Sequence, residues 1–206
     1  MNGPQLLLEE DPATCPTHSG PPLLLRPWTH EDARPLVRHH QDPQLRTWLA
    51  THLDTEREAR AWVDAQNEGW AAGTRAAFAV VESTSAGSAP ALGHIAVTAT
   101  DAADGTAPVR LGYWTAAEAR GRRVASRALL LVTAWAADGE SPFAGRALEL
   151  VHAVGNEGSC RTALACGFPL TRTLPAAPPG RPRAQHLHTA SDPGAPRRAQ
   201  RAARAA

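Results

Sequence analysis

Residues 109–137 read VRLGYWTAAEARGRRVASRALLLVTAWAA. Residues 109–114 predict a short strand, and a polar turn follows it. Val124, Ala128, Leu131, Val132 and Trp135 then recur on one face at helical spacing, until Asp138-Gly139 stops the helix. Arg120, Arg122 and Arg123 crowd the turn that leads into this helix. Unpaired N–H groups and the positive end of the helix dipole disfavour cations there, by about 0.3–1 kcal/mol per exposed charge. An anion reverses the sign, because free backbone donors and guanidinium groups together suit a phosphate or pyrophosphate. Without an anion, the same residues form a solvated basic turn.

Composition narrows the setting. The chain has 206 residues, 43% of them hydrophobic, enough for one domain with loose ends. A formal charge of +1 supplies no global basic field, so no specific nucleic-acid binding is expected. Cys15, Cys160 and Cys166 have no metal-ligand spacing and would leave one thiol over if two paired, which fits a reducing, cytoplasmic setting. The apolar run near the N-terminus stops at Leu8 without a basic flank, so neither a signal peptide nor a membrane span is expected. Every basic residue other than histidine is arginine, a coding bias from which no function follows.

Residues 1–22, punctuated by Pro and Gly, read as a flexible leader, and residues 190–206, with four arginines among alanines, as a disordered basic tail. The domain is expected over 23–189. It opens with a strand at 23–26 and a helix from the Thr29 cap to about His40; a short helical stretch carries Leu45, Trp48 and Leu49. A further helix starts from a Thr55/Glu58 capping box. Strands are expected at 76–82, 92–98 and 109–114, then at 147–154, 168–174 and 185–189, with a short helix capped by Asn156 and ended by Gly167.

The strand ending Leu-Gly-Tyr-Trp and the phrase Arg120-Gly121-Arg122-Arg123-Val124-Ala125 resemble the acyl-CoA loop of the GNAT N-acetyltransferases, Arg/Gln-x-x-Gly-x-Gly/Ala. Arg120 and Ala125 match its ends, and Arg123 stands where the family has its central glycine. Leu24-x-Arg26-Pro27-Trp28 with Glu31-Asp32, and Asp42-Pro43-x-x-x-Arg46-x-Trp48-Leu49, resemble the RimJ/RimL-like subgroup, which acetylates ribosomal-protein N-termini. Asn156-x-x-Ser159-x-x-x-Ala163-x-x-x-Gly167-Phe168 matches that subgroup's Asn-x-x-Ser…Gly-Phe helix without a gap. The resemblance spans residues 23–189. It implies an α/β fold with a mixed sheet of six to seven strands and about four helices.

The same resemblance implies acetyl-CoA as co-substrate, an acetyltransferase activity, and a monomer or homodimer. The acceptor would be an amine, either a peptide N-terminus or a small molecule. Cofactor contacts fall on Gly112, Tyr113, Trp114, Thr115, Arg120, Gly121, Arg122, Arg123, Val124, Ala125, Ser126, Asn156 and Ser159. Backbone groups of 112–115 would polarise the thioester, although the side chains of Leu111, Tyr113 and Trp114 read equally as core. Arg123 is expected to keep ordinary helical angles and to present its N–H, its charge offsetting part of the glycine's loss.

Acetyl transfer needs an uncharged amine and a proton for the departing thiolate. Ser159 is the candidate proton donor and Glu149 the candidate base, with plain helix-end bonding and a solvated strand-edge glutamate as their structural alternatives. Glu118 reads as a surface residue. His152 would titrate near neutrality if exposed. His186 and His188 share a strand face at i, i+2 with no third ligand near in sequence, so no metal is expected. A rival reading from another class is a CoA-binding or interaction module without catalysis.

Overall fold

The computed structural model describes residues 6–11, 20–84, 89–100, 107–179 and 181–190. Its strands are β1 Leu8–Glu9, β2 Leu23–Pro27, β3 Arg75–Glu82, β4 Gly93–Ala99, β5 Val109–Thr115, β6 Leu148–Ala153, β7 Leu170–Leu174 and β8 Gln185–Thr189. Its α-helices are α1 Ala33–His40, α2 Pro43–Trp48, α3 Glu56–Ala71, α4 Val124–Ala136 and α5 Glu157–Ala165. The strands form one mixed sheet in the order β1-β2-β3-β4-β5-β6-β8-β7, with β5 and β6 parallel. Eight strands and five helices thus stand where six to seven and about four were expected. The extra strand is β1, which pairs with β2 inside the stretch expected to be a flexible leader. The basic tail, residues 191–206, lies outside the described residues, as does Cys15.

The described fold divides into two compact units. The first comprises Met1–Ala96 with Tyr113–Leu131. Its spine is β3, whose six interior residues, Ala76, Ala77, Phe78, Ala79, Val80 and Val81, are all buried, as expected of a strand covered on both faces. α3 buries Ala59, Val63 and Gln66, one face at helical spacing. Its start is fixed as the sequence predicts: Thr55 Oγ1 accepts from Glu58 N at 3.2 Å, and Glu58 Oε2 accepts from Thr55 N at 3.0 Å. α1 begins later than expected, after a 3-10 turn at His30–Asp32. Arg26 holds the Asp32 carboxylate through two hydrogen bonds of 2.7 and 2.8 Å, and Thr29 N donates to it at 2.9 Å. Gly93 is required where it stands, since a Cβ there would lie 2.5 Å from the Trp114 carbonyl oxygen.

The buried face of α4 is rotated from the predicted one. Val124, Ala128 and Val132 are buried as expected, but Leu129, Thr133, Ala136 and Arg127 complete the face, while Leu131 and Trp135 stay partly exposed. The run Leu129-Leu130-Leu131-Val132 is apolar all round, so its period does not choose a side. Arg127 does. Its guanidinium enters the interior because Glu10, just after β1, meets it there: Arg127 Nε donates to the Glu10 carboxylate at 2.9 and 3.1 Å, and Arg127 also donates to Pro21 O at 2.8 Å. Leu23 N adds a 3.0 Å bond to the same carboxylate.

The second unit comprises Val97–Gly112 with Val132–Ala206. β6 alternates cleanly, Leu148, Leu150 and His152 inward, and β8 pairs with it antiparallel, His152 opposite His186 and Leu150 opposite His188. α5 starts on Asn156, whose side chain accepts from Ser159 N at 3.2 Å. It ends at Gly167 (φ 80°), where Phe168 N bonds Ala163 O at 3.0 Å and Gly167 N bonds Leu164 O at 3.2 Å, a Schellman closure with Phe168 buried beneath it.

Candidate functional site

The turn before α4 is built from left-handed backbone. Gly121 has φ 77° and Arg123 has φ 57°. The expectation of ordinary helical angles at Arg123 is therefore corrected: the position asks for the conformation that glycine adopts freely and that costs a residue with a Cβ about 1–2 kcal/mol. Arg127 N bonds back along α4 to Arg123 O at 3.0 Å. The N–H groups of the first turn of α4, from Val124, point toward the turn that leads into it. Left-handed residues in such a turn gather backbone donors into an anion-binding concavity, so this segment fits a pyrophosphate.

The arginines here are not bare cations. Arg120 pairs with Asp42, and Arg122 with Glu82. Asp42 also caps α2 by accepting from Leu45 N at 3.2 Å; the Arg120 hydrogen bond, foremost, holds its carboxyl below the usual range. Glu118 is exposed and meets Arg38 at 3.5 Å and His39 Nδ1 at 3.7 Å, the surface role expected of it.

β5 precedes this turn in the chain. Its parallel ladder with β6 covers Val109–Leu111 against Leu148–Leu150, while the strand itself continues to Thr115. Val109 and Leu111 are buried at odd positions and Trp114 at an even one, so the alternation inverts after Gly112. The Trp114 side chain is core. It stacks on His94 at 6.0 Å and lies 6.2 Å from Trp28, which in turn packs edge-on against Trp62. Trp28 Nε1 donates to His94 Nδ1 at 3.0 Å, so His94 is held as the neutral ring. Burial, foremost, lowers His94 to about 3 and His40 to about 4.

In the second unit Ser159 sits in the first turn of α5, as predicted, with Asn156 as the cap. Glu149 lies opposite Arg110 on β5, their charged atoms 3.9 Å apart, and points to the other side of β6 from His152. Burial, foremost, pushes His152 below the ordinary imidazole value. The structure also brings His152 to His186, His188 and Cys160, a grouping the sequence did not disclose.

A family model for the acetyltransferase (GNAT) domain matches residues 22–169. The chain belongs to the GNAT acetyltransferase family. The GNAT fold is equally clear in solved structures. A candidate ribosomal-protein-serine acetyltransferase from Vibrio cholerae superposes with a TM-score of 0.70 at 20% identity, covering 91% of this chain and 98% of that one. Mycobacterium smegmatis RimJ in complex with CoA-disulfide gives 0.69 at 15% identity, over 89% and 86%. RimL, a ribosomal L7/L12 α-N-protein acetyltransferase in complex with CoA, gives 0.68 at 18% identity, over 83% and 94%. No curated protein sequence matches the chain. This GNAT chain is thus an acyltransferase, and among its described residues no helix is long and apolar enough to cross a membrane.

Proposed function

We propose that the chain transfers acetyl from acetyl-CoA to an amine by direct attack, with a peptide α-amine as first acceptor class and a small-molecule amine as second. The left-handed turn opening onto the N-terminus of α4 carries the reading. Its backbone N–H groups at Val124 and Ala125, with Ser126 beside them, suit a pyrophosphate, and Gly121 with Arg123 shape the turn that holds them. Arg120 and Arg122 stand beside it, each already oriented by a carboxylate. Bound acetyl-CoA supplies the activated acetyl group.

The chain's own residues divide the rest. The register of β5 with β6 runs from Val109 to Leu111, and the backbone at Gly112, Tyr113, Trp114 and Thr115, beyond it, bonds the pantetheine and polarises the thioester carbonyl. Ser159 donates the proton that the leaving thiolate needs, with Asn156 fixing the helix turn that presents it. Glu149 is the carboxylate that accepts the proton of the attacking amine, directly or through water.

Release of CoA from acetyl-CoA, measured against a panel of amines and N-terminal peptides with product mass analysis, tests the reading. Acetylated product is expected. Ser159→Ala should lower kcat at least tenfold while leaving CoA affinity unchanged, since the bond it makes belongs to the transition state. CoA binding without product from any amine would leave a binding module in place of the enzyme.

A further inference from the structure

His152 on β6, Cys160 on α5 and His186 and His188 on β8 each offer one ligand atom, and these atoms all lie within 4.8 Å of one another. The hydrogen bonds around them define the protonation of two of the rings. His152 Nδ1 meets Ala153 O at 2.9 Å and His188 Nδ1 meets Phe168 O at 2.9 Å. A carbonyl oxygen only accepts, so both Nδ1 atoms carry the proton, and in the neutral rings both Nε2 atoms are lone pairs. Yet His152 Nε2 and His188 Nε2 face each other at 3.0 Å. Two lone pairs at that distance repel unless a cation lies between them. His186 adds a buried Nδ1 with no hydrogen-bond partner among the described residues, its ring 5.4 Å from that of His152. Cys160 is a free thiol, and His188 is fully buried.

We propose that these four side chains form a binding site for a thiophilic divalent transition-metal ion, zinc above all. Three imidazoles and a thiolate are a donor set suited to tetrahedral zinc, whose donor–donor edges of about 3.3–3.8 Å require the widest present separations to close by up to about 1 Å and the 3.0 Å contact between His152 and His188 to open slightly. The surrounding bonds are those that orient metal-bound histidines: the nitrogen away from the ion donates to a backbone carbonyl, fixing tautomer and ring plane. The ligands stand on two paired strands and a helix rather than on loops, which holds them in place before the ion arrives. An ion here would tie the first turn of α5 to β6 and β8. The site is independent of the proposed acetyl transfer, and its test does not use activity.

The full chain, stripped with chelator and kept reduced, is titrated with Zn2+ by calorimetry and with Co2+ by absorption. One equivalent is expected to bind with a submicromolar Kd, to raise Tm, and with Co2+ to give tetrahedral d–d bands and a thiolate charge-transfer band. Cys160→Ser should abolish the charge-transfer band, and Cys160→Ser and His186→Gln should each weaken Zn2+ binding by roughly tenfold or more. Both residues are partly exposed, so both variants should fold, which circular dichroism checks. His30→Gln, at an exposed histidine paired with Asp64, should change nothing. Absence of stoichiometric binding, or binding indifferent to both variants, overturns the proposal. So does 15N NMR showing a proton shared between His152 and His188 that millimolar Zn2+ fails to displace.

Discussion

The arginine-rich start of α4 and the histidine face of β6 and β8 solve opposite electrostatic problems. Arg120, Arg122 and Arg127 each meet a carboxylate, Asp42, Glu82 and Glu10 in turn. The positive charge is placed and balanced inside the protein, and an anion would have to share it. At His152, Cys160, His186 and His188 no carboxylate belongs to the grouping, and two imidazole lone pairs oppose each other. The first region holds balanced charge near a set of backbone donors, and the second gathers donors that need a cation. The difference yields separable expectations.

The largest effect is expected where a balanced pair is cut. Arg127→Ala leaves the Glu10 carboxylate in the interior without its cation, Leu23 N still donating to it, and should cost about 3–5 kcal/mol in denaturant unfolding. Replacing both partners, Glu10→Leu with Arg127→Met, should recover most of that loss, because neither charge then needs compensation. Failure of the double variant to recover would mean that the pair anchors β1 through its geometry rather than through charge balance.

Buried histidines add a pH dependence of one sign in both units. His94 and His40 stay neutral in the folded protein to about pH 3 and 4, whereas in the unfolded chain they protonate near 6.5. Between those values the unfolded state binds more protons, so stability rises with pH: it is fully present above about 6.5 and is lost as pH falls toward 4. The slope should be roughly 1 kcal/mol per pH unit for each such ring. His152 has the same sign. Unfolding free energies at pH 7, 6 and 5 check this. His94→Gln should flatten the profile, and an unchanged slope would remove that ring from the account.

The two regions also differed in how far the sequence disclosed them. The loop before α4 is contiguous, so its charges, its helix start and its family likeness could be read along the chain, as could the Asn156 cap and the Thr55 capping box. What could not be read there was conformation. That Arg123 is left-handed depends on the path into α4, and nothing in the residue itself announces it. The histidine grouping failed for a different reason. His186 and His188 showed their common face, but His152 lies 34 residues upstream and reaches them through the β6/β8 register, which only the folded sheet sets. Arg127 and Glu10 likewise required knowing that β1 pairs with β2.

Arg123→Gly sharpens the conformational point. Removing a Cβ from a left-handed residue should stabilise the fold by up to about 1 kcal/mol, offset in part by glycine's greater freedom when unfolded. If the turn holds a pyrophosphate, the same change lets the backbone approach more closely while one cation is lost. CoA affinity should then change little and its salt dependence weaken. A tenfold gain in affinity, about 1.4 kcal/mol, would show that the Arg123 side chain obstructs the turn.

The smallest expected effect asks whether the balance at Arg120 is a competition. Asp42→Asn keeps an oxygen to accept from Leu45 N, and so keeps the cap of α2, while removing the charge that Arg120 answers. If Asp42 and a bound phosphate share the guanidinium, CoA should bind about threefold more tightly, roughly 0.6 kcal/mol, with a steeper dependence on salt. Stability should fall by no more than about 1 kcal/mol, because the pair is half-exposed on the arginine side. Weaker CoA binding would reverse the reading: Asp42 would then be the residue that aims Arg120 at the ligand, and Asp42→Asn and Arg120→Ala would fail to add in a double-mutant cycle.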